Sequence, residues 1–490
     1  MSTDLEPTLA ERLGVFVAEF DLGRSPRRSV LMQRARWQIL DMLGAAYIGW
    51  TSEDHHAAKL IASHAADIGV GPCTVVGVPG GTSAPVAAFL NGSLAHSFEF
   101  DDIHLATMIH CESFATAATL AVAEERHASG SALAEAWIVA AEIALRLASG
   151  IHKLDGLGLY EPEGFHSTSV FGAFGSAAGA AKLMGLNAEQ TANALALVVS
   201  FTSGTVEGWA TGGARNKPIQ PGWAAHAGVT AARLAAADYT CSLATIDGPQ
   251  GFYHSHAWGH EWSADRVLDG LGDSWLAEQV AVKLFPCGAM CQNTVEGVEE
   301  IMDRHGIGAD DVERGEIVLP AYLSAALKNM GASLYRPPTG TDALGSAPCL
   351  AARVLLDGYL GVEHMTTAAM GDARMLALAD RLAVTVDEDP SHTSLPVAQQ
   401  PTTVTLTTSK GEFSAQHGLA AGHPDRLTQD GIERKFRANM RRVSDAATTE
   451  AIMGQCGALE DVEDVAAITA LLRAPAISSE ETDARMAKCD

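Results

Sequence analysis

The sequence predicts a mainly helical protein with an inserted α+β domain, and three observations carry that reading. Alanine and glycine are abundant while aromatic residues make up only 6% of the 490, a composition that lets helices pack closely. Apolar residues recur at helical spacing through much of the first half, from about 27 to 237. From about Ser274, β-rich stretches interleave with helical patterns, and helical texture returns near Thr428. The expected division is a large all-helical domain over 1–272 and 421–490, built from both ends of the chain, with an α+β domain over 273–420 between them. Length and a hydrophobic content of 47% are enough for two such units.

The elements follow in order. One short helix is expected within 1–24. RRSVLMQRARWQILDMLGAAYIGW (27–50) reads as a long helix, and 55–66 as another. CTVVGV (73–78) is rich in β-formers but isolated, so it reads as a short strand or an extended link. A helix over 84–97 leads into a polar stretch, after which helices are expected at 113–125, 132–151 and 167–184. The last contains FGAFGSAAGAAKLMG, where small residues let neighbours approach at a cost in helix stability. Asn187 is a plausible N-cap for 188–200, with Gln190 at the third position after it, and 223–237 is an alanine-rich helix. In the second unit AEQVAVKLF, ERGEIVLPAYL, RLAVTVDED and TTVTLTTSKGEF read as strands, with TSKG as a hairpin turn. Helical patterns lie between them at 295–305 and 346–360. Two more, 428–440 and 461–472, precede a frayed, polar last dozen residues.

Composition excludes several function classes. A formal charge of −26 argues against nucleic-acid binding and against docking on anionic membranes. An anionic substrate would need Lys or Arg placed locally inside this acidic shell. The first residues lack a basic segment followed by an apolar one, so no signal peptide is expected. The apolar run 132–149 is interrupted by Glu135, Glu142 and Arg146 along one helical stripe, which marks a packed helix and not a membrane span. Eight cysteines over this length suggest no disulfide framework, and Cys287 and Cys291, the closest pair, read as buried thiols. The cytoplasm is the expected compartment. There is no GxGxxG opening a βα unit, no P-loop and no internal repeat.

The stretch that concentrates chemistry is NGSLAHSFEFDDIHLATMIHCES (91–113). Glu99, Asp101, Asp102 and Glu112 lie there with His96, His104 and His110, between two apolar helices. Carboxylates beside imidazoles suit general acid–base work, because each group shifts the other's pKa. Two other readings stay open: a solvated loop, or a metal held by Asp101, His104 and His110. The spacing matches no compact metal motif, so no metal is expected. Three further signals stand apart. His166 in GFHSTSVFG precedes a helix, as a cap or a functional group. Lys217 in GGARNKPIQPGWAAHAG lies between Gly–Gly and two prolines, where it could meet a carboxylate together with helix N–H groups. Lys283 interrupts an apolar strand in VAVKLFPCGAMC, where alternation alone would let it point to solvent.

Taken together, NGSLAHSFEFDD, GFHSTSVFGAFGSAAGAAKLMGL, RNKPIQPGWAAHAG, YTCSLATIDGPQGF and KLFPC, in that order, resemble the MmgE/PrpD family. DALGSAPCLAARVLLDG and GHPDRLTQDGIERKF extend the resemblance, which covers roughly 10–475. That family includes 2-methylcitrate dehydratases, cis-aconitate decarboxylases and iminodisuccinate epimerases. The resemblance implies a homodimer, each chain with a large helical domain and a smaller α+β lid, the site lying between them. It also implies chemistry without metal, iron–sulfur cluster or organic cofactor, on a small-molecule polycarboxylate.

By motif position Asp101, Asp102 and His110 match the loop of the catalytic acid and histidine, His166 the second-site histidine, Lys217 the loop lysine and Lys283 the lysine opening the lid. Glu99 stands where the family's decarboxylases carry Asp or Glu. The expected roles are carboxylate binding by Lys217 and Lys283, proton transfer by His110, orientation of His110 or a rise in its pKa by Asp102, and a second acid–base or hydrogen-bonding role for His166. Two positions depart from the family pattern. Gly288–Gln292 lacks the arginine or histidine that many members carry there, and Ile103 replaces a common hydroxylated residue. An unusual substrate is therefore expected. The primary reading is a lyase that dehydrates or decarboxylates, the alternative an isomerase or epimerase, and a further one a non-catalytic carboxylate-binding protein.

Overall fold

The computed structural model describes residues 6–51, 71–151, 163–207, 216–257, 259–441 and 443–473. The helix expected at 55–66 and the polar last dozen residues lie outside them. The protein is mainly helical with a smaller α+β domain. No helix among the described residues is long and apolar enough to cross a membrane.

The helices follow their sequence signals. Leu9–Glu19 starts at Thr8, whose side chain and that of Glu11 cap each other. Arg28–Thr51 is the long helix expected from its apolar spacing. Ser167–Met184 has the expected bounds, because Gly185 adopts the left-handed conformation (φ 66°) and ends it. Its glycines admit neighbours closely. A Cβ on Gly175 would lie 2.4 Å from the Ala140 carbonyl oxygen, and one on Gly179 2.6 Å from Thr119 Cγ2. At Ala188–Leu197 the Asn187 side chain accepts the Gln190 N–H at 2.9 Å, while Gln190 Oε1 accepts the Asn187 N–H at 3.3 Å. In Gly130–Ser149 the buried Arg146 pairs with Glu142 at 2.5 Å and donates to the carbonyls of Val267, Asp269, Gly270 and Ser274. The charged stripe thus ties this helix to the segment that leads into the second unit.

Strands β1 (Asp102–Ile103) and β2 (Ala281–Val282) pair antiparallel. A second sheet holds β3 (Val312–Leu319), β4 (Leu382–Val386), β5 (Thr402–Thr408) and β6 (Gly411–His417), in the order β4-β3-β5-β6. β3 runs parallel to β4, and the other neighbours are antiparallel. The TSKG hairpin joins β5 to β6 as its turn residues predict. Alternate residues of β5 are buried, and Val404 lies under the helix Gln292–His305 at Gly297.

Apolar side chains gather in two clusters. One draws on residues from Leu9 to Val282 and again from Leu427 to Leu472. The other draws on Cys287 to Ala415, together with Ile48, Phe98 and Phe100 from the first half.

Three expectations need correction, and an open alternative is decided. AEQVAVKLF contributes only two strand residues, because Leu284 and Phe285 turn away to bond the Gln292 side chain. Of the two alternatives for 73–78 the structure shows the link and not the strand, with one bridge, Cys73 to Thr82. The helix expected at 188–200 stops at Leu197 and tightens into a 3₁₀ turn, Val198–Phe201. The stretch 461–472 is no continuous helix but a set of short turns, Leu459–Asp461, Ala466–Thr469 and Ala470–Leu472. Asp464 interrupts it by capping the Ala466 N–H with its side chain.

Candidate active site

The helix Ala84–Ala95 tightens into a 3₁₀ turn, His96–Phe98, and Glu99 follows in the left-handed conformation with φ 51°. The kink separates two sets of side chains. Phe98 and Phe100, each 4% exposed, join the apolar cluster of the α+β domain. Glu99 and Asp101 meet lysines and histidines instead. From the far end of the chain Lys435 donates to the Phe100 carbonyl at 2.6 Å and to Asp41 at 2.7 Å, with its Nζ 4.1 Å from the Phe100 ring centroid. β1 then pairs with β2, which delivers Lys283 to the same place.

Asp101 is the hub. Its Oδ2 lies 2.6 Å from His96 Nδ1, and its Oδ1 lies 3.1 Å from Lys283 Nζ and 3.5 Å from His110 Nδ1. His110 Nδ1 is also 2.6 Å from the Asp102 carbonyl and 3.2 Å from Lys283 Nζ. A carbonyl only accepts, so Nδ1 carries the proton and Nε2 keeps its lone pair. Glu99 bridges both lysines: one oxygen meets Lys217 and the other lies 3.4 Å from Lys283 Nζ. His166 Nδ1 donates to Gln220 Oε1 at 2.8 Å, an orientation fixed because Gln220 Nε2 donates to the Thr205 carbonyl. The His96 ring stands 4.8 Å from that of His110 and 5.8 Å from that of His166. His96 Nε2 is buried with no partner among the described residues.

Asp101, Asp102, His110, His166 and Lys283 are all buried. The solvated-loop reading does not hold. Lys283 does not point to solvent either, because the short β1–β2 pairing turns it inward.

Burial and neighbouring charge set the protonation states. Burial pushes His110 well below its ordinary value, and Lys283 adds to this, so its ring is neutral. Burial likewise lowers His96, against the pull of Asp101. His166 is held well below its usual range by burial and by the other two histidines. Burial alone would raise Asp101, but His96 and Lys283 outweigh it and hold the carboxyl well below the usual range. Burial and the Lys283 charge bring Lys217 down to about 7.

Asp102 sits differently from its expected role. Its carboxylate accepts the N–H groups of Cys111 (2.9 Å) and Glu112 (3.1 Å), so only its backbone carbonyl reaches His110. Burial and the Asp101 charge raise the Asp102 carboxyl well above the ordinary range. The contact to His110 Nδ1 comes from the Asp102 backbone carbonyl.

His104 stands apart from the alternative metal set of Asp101, His104 and His110, since its Nδ1 meets Thr107 Oγ1 at 2.8 Å. Among the described residues, three have ligand atoms close enough to hold a metal: His96, Asp101 and His110. The Lys283 ammonium already lies within 3.2 Å of two of them, so the donor set faces a lysine cation and fits a metal poorly. Gln292 does not face a substrate. Its amide accepts the Leu284 and Phe285 N–H groups and donates to the Phe285 and Cys287 carbonyls, which shapes the loop after Lys283. Cys287 and Cys291 are buried free thiols.

Among these residues His96, Gln220 and Lys435 were missed by sequence reasoning. His96 stood inside the acid–histidine stretch, but Gln220 and Lys435 look like ordinary helix residues.

The chain was compared with known proteins. It is 29% identical to the human cis-aconitate decarboxylase over 464 residues, covering 91% of each chain. It is 28% identical to the mouse cis-aconitate decarboxylase, covering 92% of this chain and 91% of the relative. It is 25% identical to the cis-aconitate decarboxylase-like protein oryM of Aspergillus oryzae, covering 90% and 93%. The MmgE/PrpD N-terminal domain matches residues 11–265 and the MmgE/PrpD C-terminal domain residues 285–459. With both halves matched in order across most of its length, the chain belongs to the MmgE/PrpD family.

Proposed function

We propose that this enzyme is a lyase acting on a small polycarboxylate without an added cofactor, and that cis-aconitate is the substrate to be decarboxylated. The observation that carries this reading is the joining of Lys217 and Lys283 to the Asp101–His96–His110 cluster. Fixed cations in a buried site hold carboxylates and stabilise negative charge that develops on them. The C–C bond to one carboxylate breaks as CO2 leaves, and its electron pair delocalises toward a remaining carboxylate. A proton then returns to carbon. The Lys283 ammonium, buried beside Asp101 at 3.1 Å, is placed to supply that proton directly.

The neutral His110 ring favours one second reading. Its Nε2 lone pair is suited to removing a proton beside a carboxylate, the first step of dehydration and of epimerisation alike. Proton NMR in deuterated water separates these outcomes for cis-aconitate, citrate, 2-methylcitrate and iminodisuccinate. Itaconate from cis-aconitate supports decarboxylation. New olefinic signals from the hydroxy acids would mean dehydration, and deuterium entering an intact skeleton would mean epimerisation. His110→Ala or Lys283→Ala is expected to lower turnover by roughly 10²–10⁴-fold. Near-normal turnover in either variant overturns its role.

The same reading takes Asp101 as the acid that holds His96 and Lys283 in place, and His166 as a hydrogen-bonding or acid–base partner of the substrate. It keeps the division at 272/273 and 420/421, a cytoplasmic location and a homodimer. The exposed Ile219 and Trp223, one helical turn apart, suit such an interface, and light scattering of the purified protein tests it.

A further inference from the structure

Glu99 takes no part in the proposed chemistry, yet it lies across the cationic half of the site. One carboxylate oxygen meets Lys217 and the other lies 3.4 Å from Lys283 Nζ, while Asp101 takes Lys283 from another side at 3.1 Å. Two ammonium groups facing two carboxylates leave no net positive charge for an incoming anion. The two acids differ in freedom. The Asp101 side chain is 0% exposed and bonded to His96, whereas that of Glu99 is 18% exposed. The Glu99 backbone is fixed by its neighbours, because Phe98 and Phe100 are anchored in the apolar cluster of the α+β domain. Its left-handed φ of 51° is a conformation that a glutamate adopts only where the surroundings impose it. The movable part is the side chain.

We propose that Glu99 is a built-in counter-ion that a substrate carboxylate displaces from Lys217 and Lys283, so that it sets the affinity and selectivity of the site for anions. This rests on the reading that the two lysines hold a substrate carboxylate. Any anion reaching them must first break the Glu99 ion pairs, which weakens binding of weakly charged acids most and favours ligands that offer more than one carboxylate. Without Glu99 the two ammonium groups repel each other unopposed, and Lys217 sheds more of its proton until an anion arrives.

The test is calorimetric titration with tricarballylate, a saturated tricarboxylate with no double bond to react. Wild type, Glu99→Gln and Glu99→Gly are compared at pH 7 in two buffers of different ionisation enthalpy. Glycine suits the left-handed backbone, so the second variant keeps the comparison valid if the first folds poorly. Both variants are expected to bind about tenfold more tightly than wild type and to take up more protons per anion bound. Equal or weaker binding by the folded variants, with wild-type binding intact, overturns the counter-ion role and leaves the lysine reading standing. No binding by any of the three proteins overturns the lysine reading and, with it, this proposal.

Discussion

Within the site, Lys217 is a residue whose charge changes near neutral pH. Burial and the nearby Lys283 bring its pKa down to about 7, so it is cationic below that value and loses its proton above it. Only the ammonium form holds a carboxylate. Binding is therefore expected to weaken as pH rises past about 7, and kcat/KM, which reports the free enzyme, falls up to tenfold per unit beyond the midpoint. Lys217→Arg keeps its charge throughout and should flatten that limb up to about pH 9. An unchanged limb in this variant would assign it to another group. Asp102 shows the limit of reading single residues from sequence. A histidine and an aspartate eight residues apart suggest a carboxylate–imidazole pair, but the carboxylate bonds the Cys111 and Glu112 N–H groups and leaves the contact to its carbonyl.

At the scale of elements, what was legible is what is locally encoded. The Asn187 cap and the stop at Gly185 depend on neighbours a few residues away, and their sequence signals suffice. The acid–histidine stretch was legible as chemistry because His96, Asp101 and His110 lie close in the chain. Gln220 and Lys435 were not, since each acts on a partner 54 and 335 residues away, respectively. Lys435 also makes the helix Gln429–Met440 a support for the loop that carries Asp101, through a buried pair with Asp41 and a bond to the Phe100 carbonyl. Lys435→Met strands a buried Asp41 and should cost about 3–5 kcal/mol of stability in denaturant melts. Adding Asp41→Asn removes the unpaired acid and should restore much of that loss. Turnover should stay low in the double variant, because the Phe100 carbonyl still lacks its donor and Asp101, the next residue, loses its anchor. Full recovery of turnover together with stability would reduce Lys435 to a fold residue.

At the scale of the whole molecule, the loop that carries the site runs between the two apolar clusters. Lys283 reaches Asp101 because β2 pairs with β1, and the loop carrying Glu99 and Asp101 is fixed because Phe98 and Phe100 insert into the other domain's apolar cluster. Those two rings therefore couple domain packing to catalysis. Phe98→Ala removes one of them and should cost about 3–5 kcal/mol, most of it from the contact between domains and little from either domain's own core. The two parts then lose their cooperativity. On heating the variant, turnover should disappear several degrees below the far-UV circular dichroism transition, which reports the helices, whereas in the wild type the two midpoints should coincide. Coincident midpoints in Phe98→Ala, merely shifted together, would mean that the domains melt as one unit without this ring.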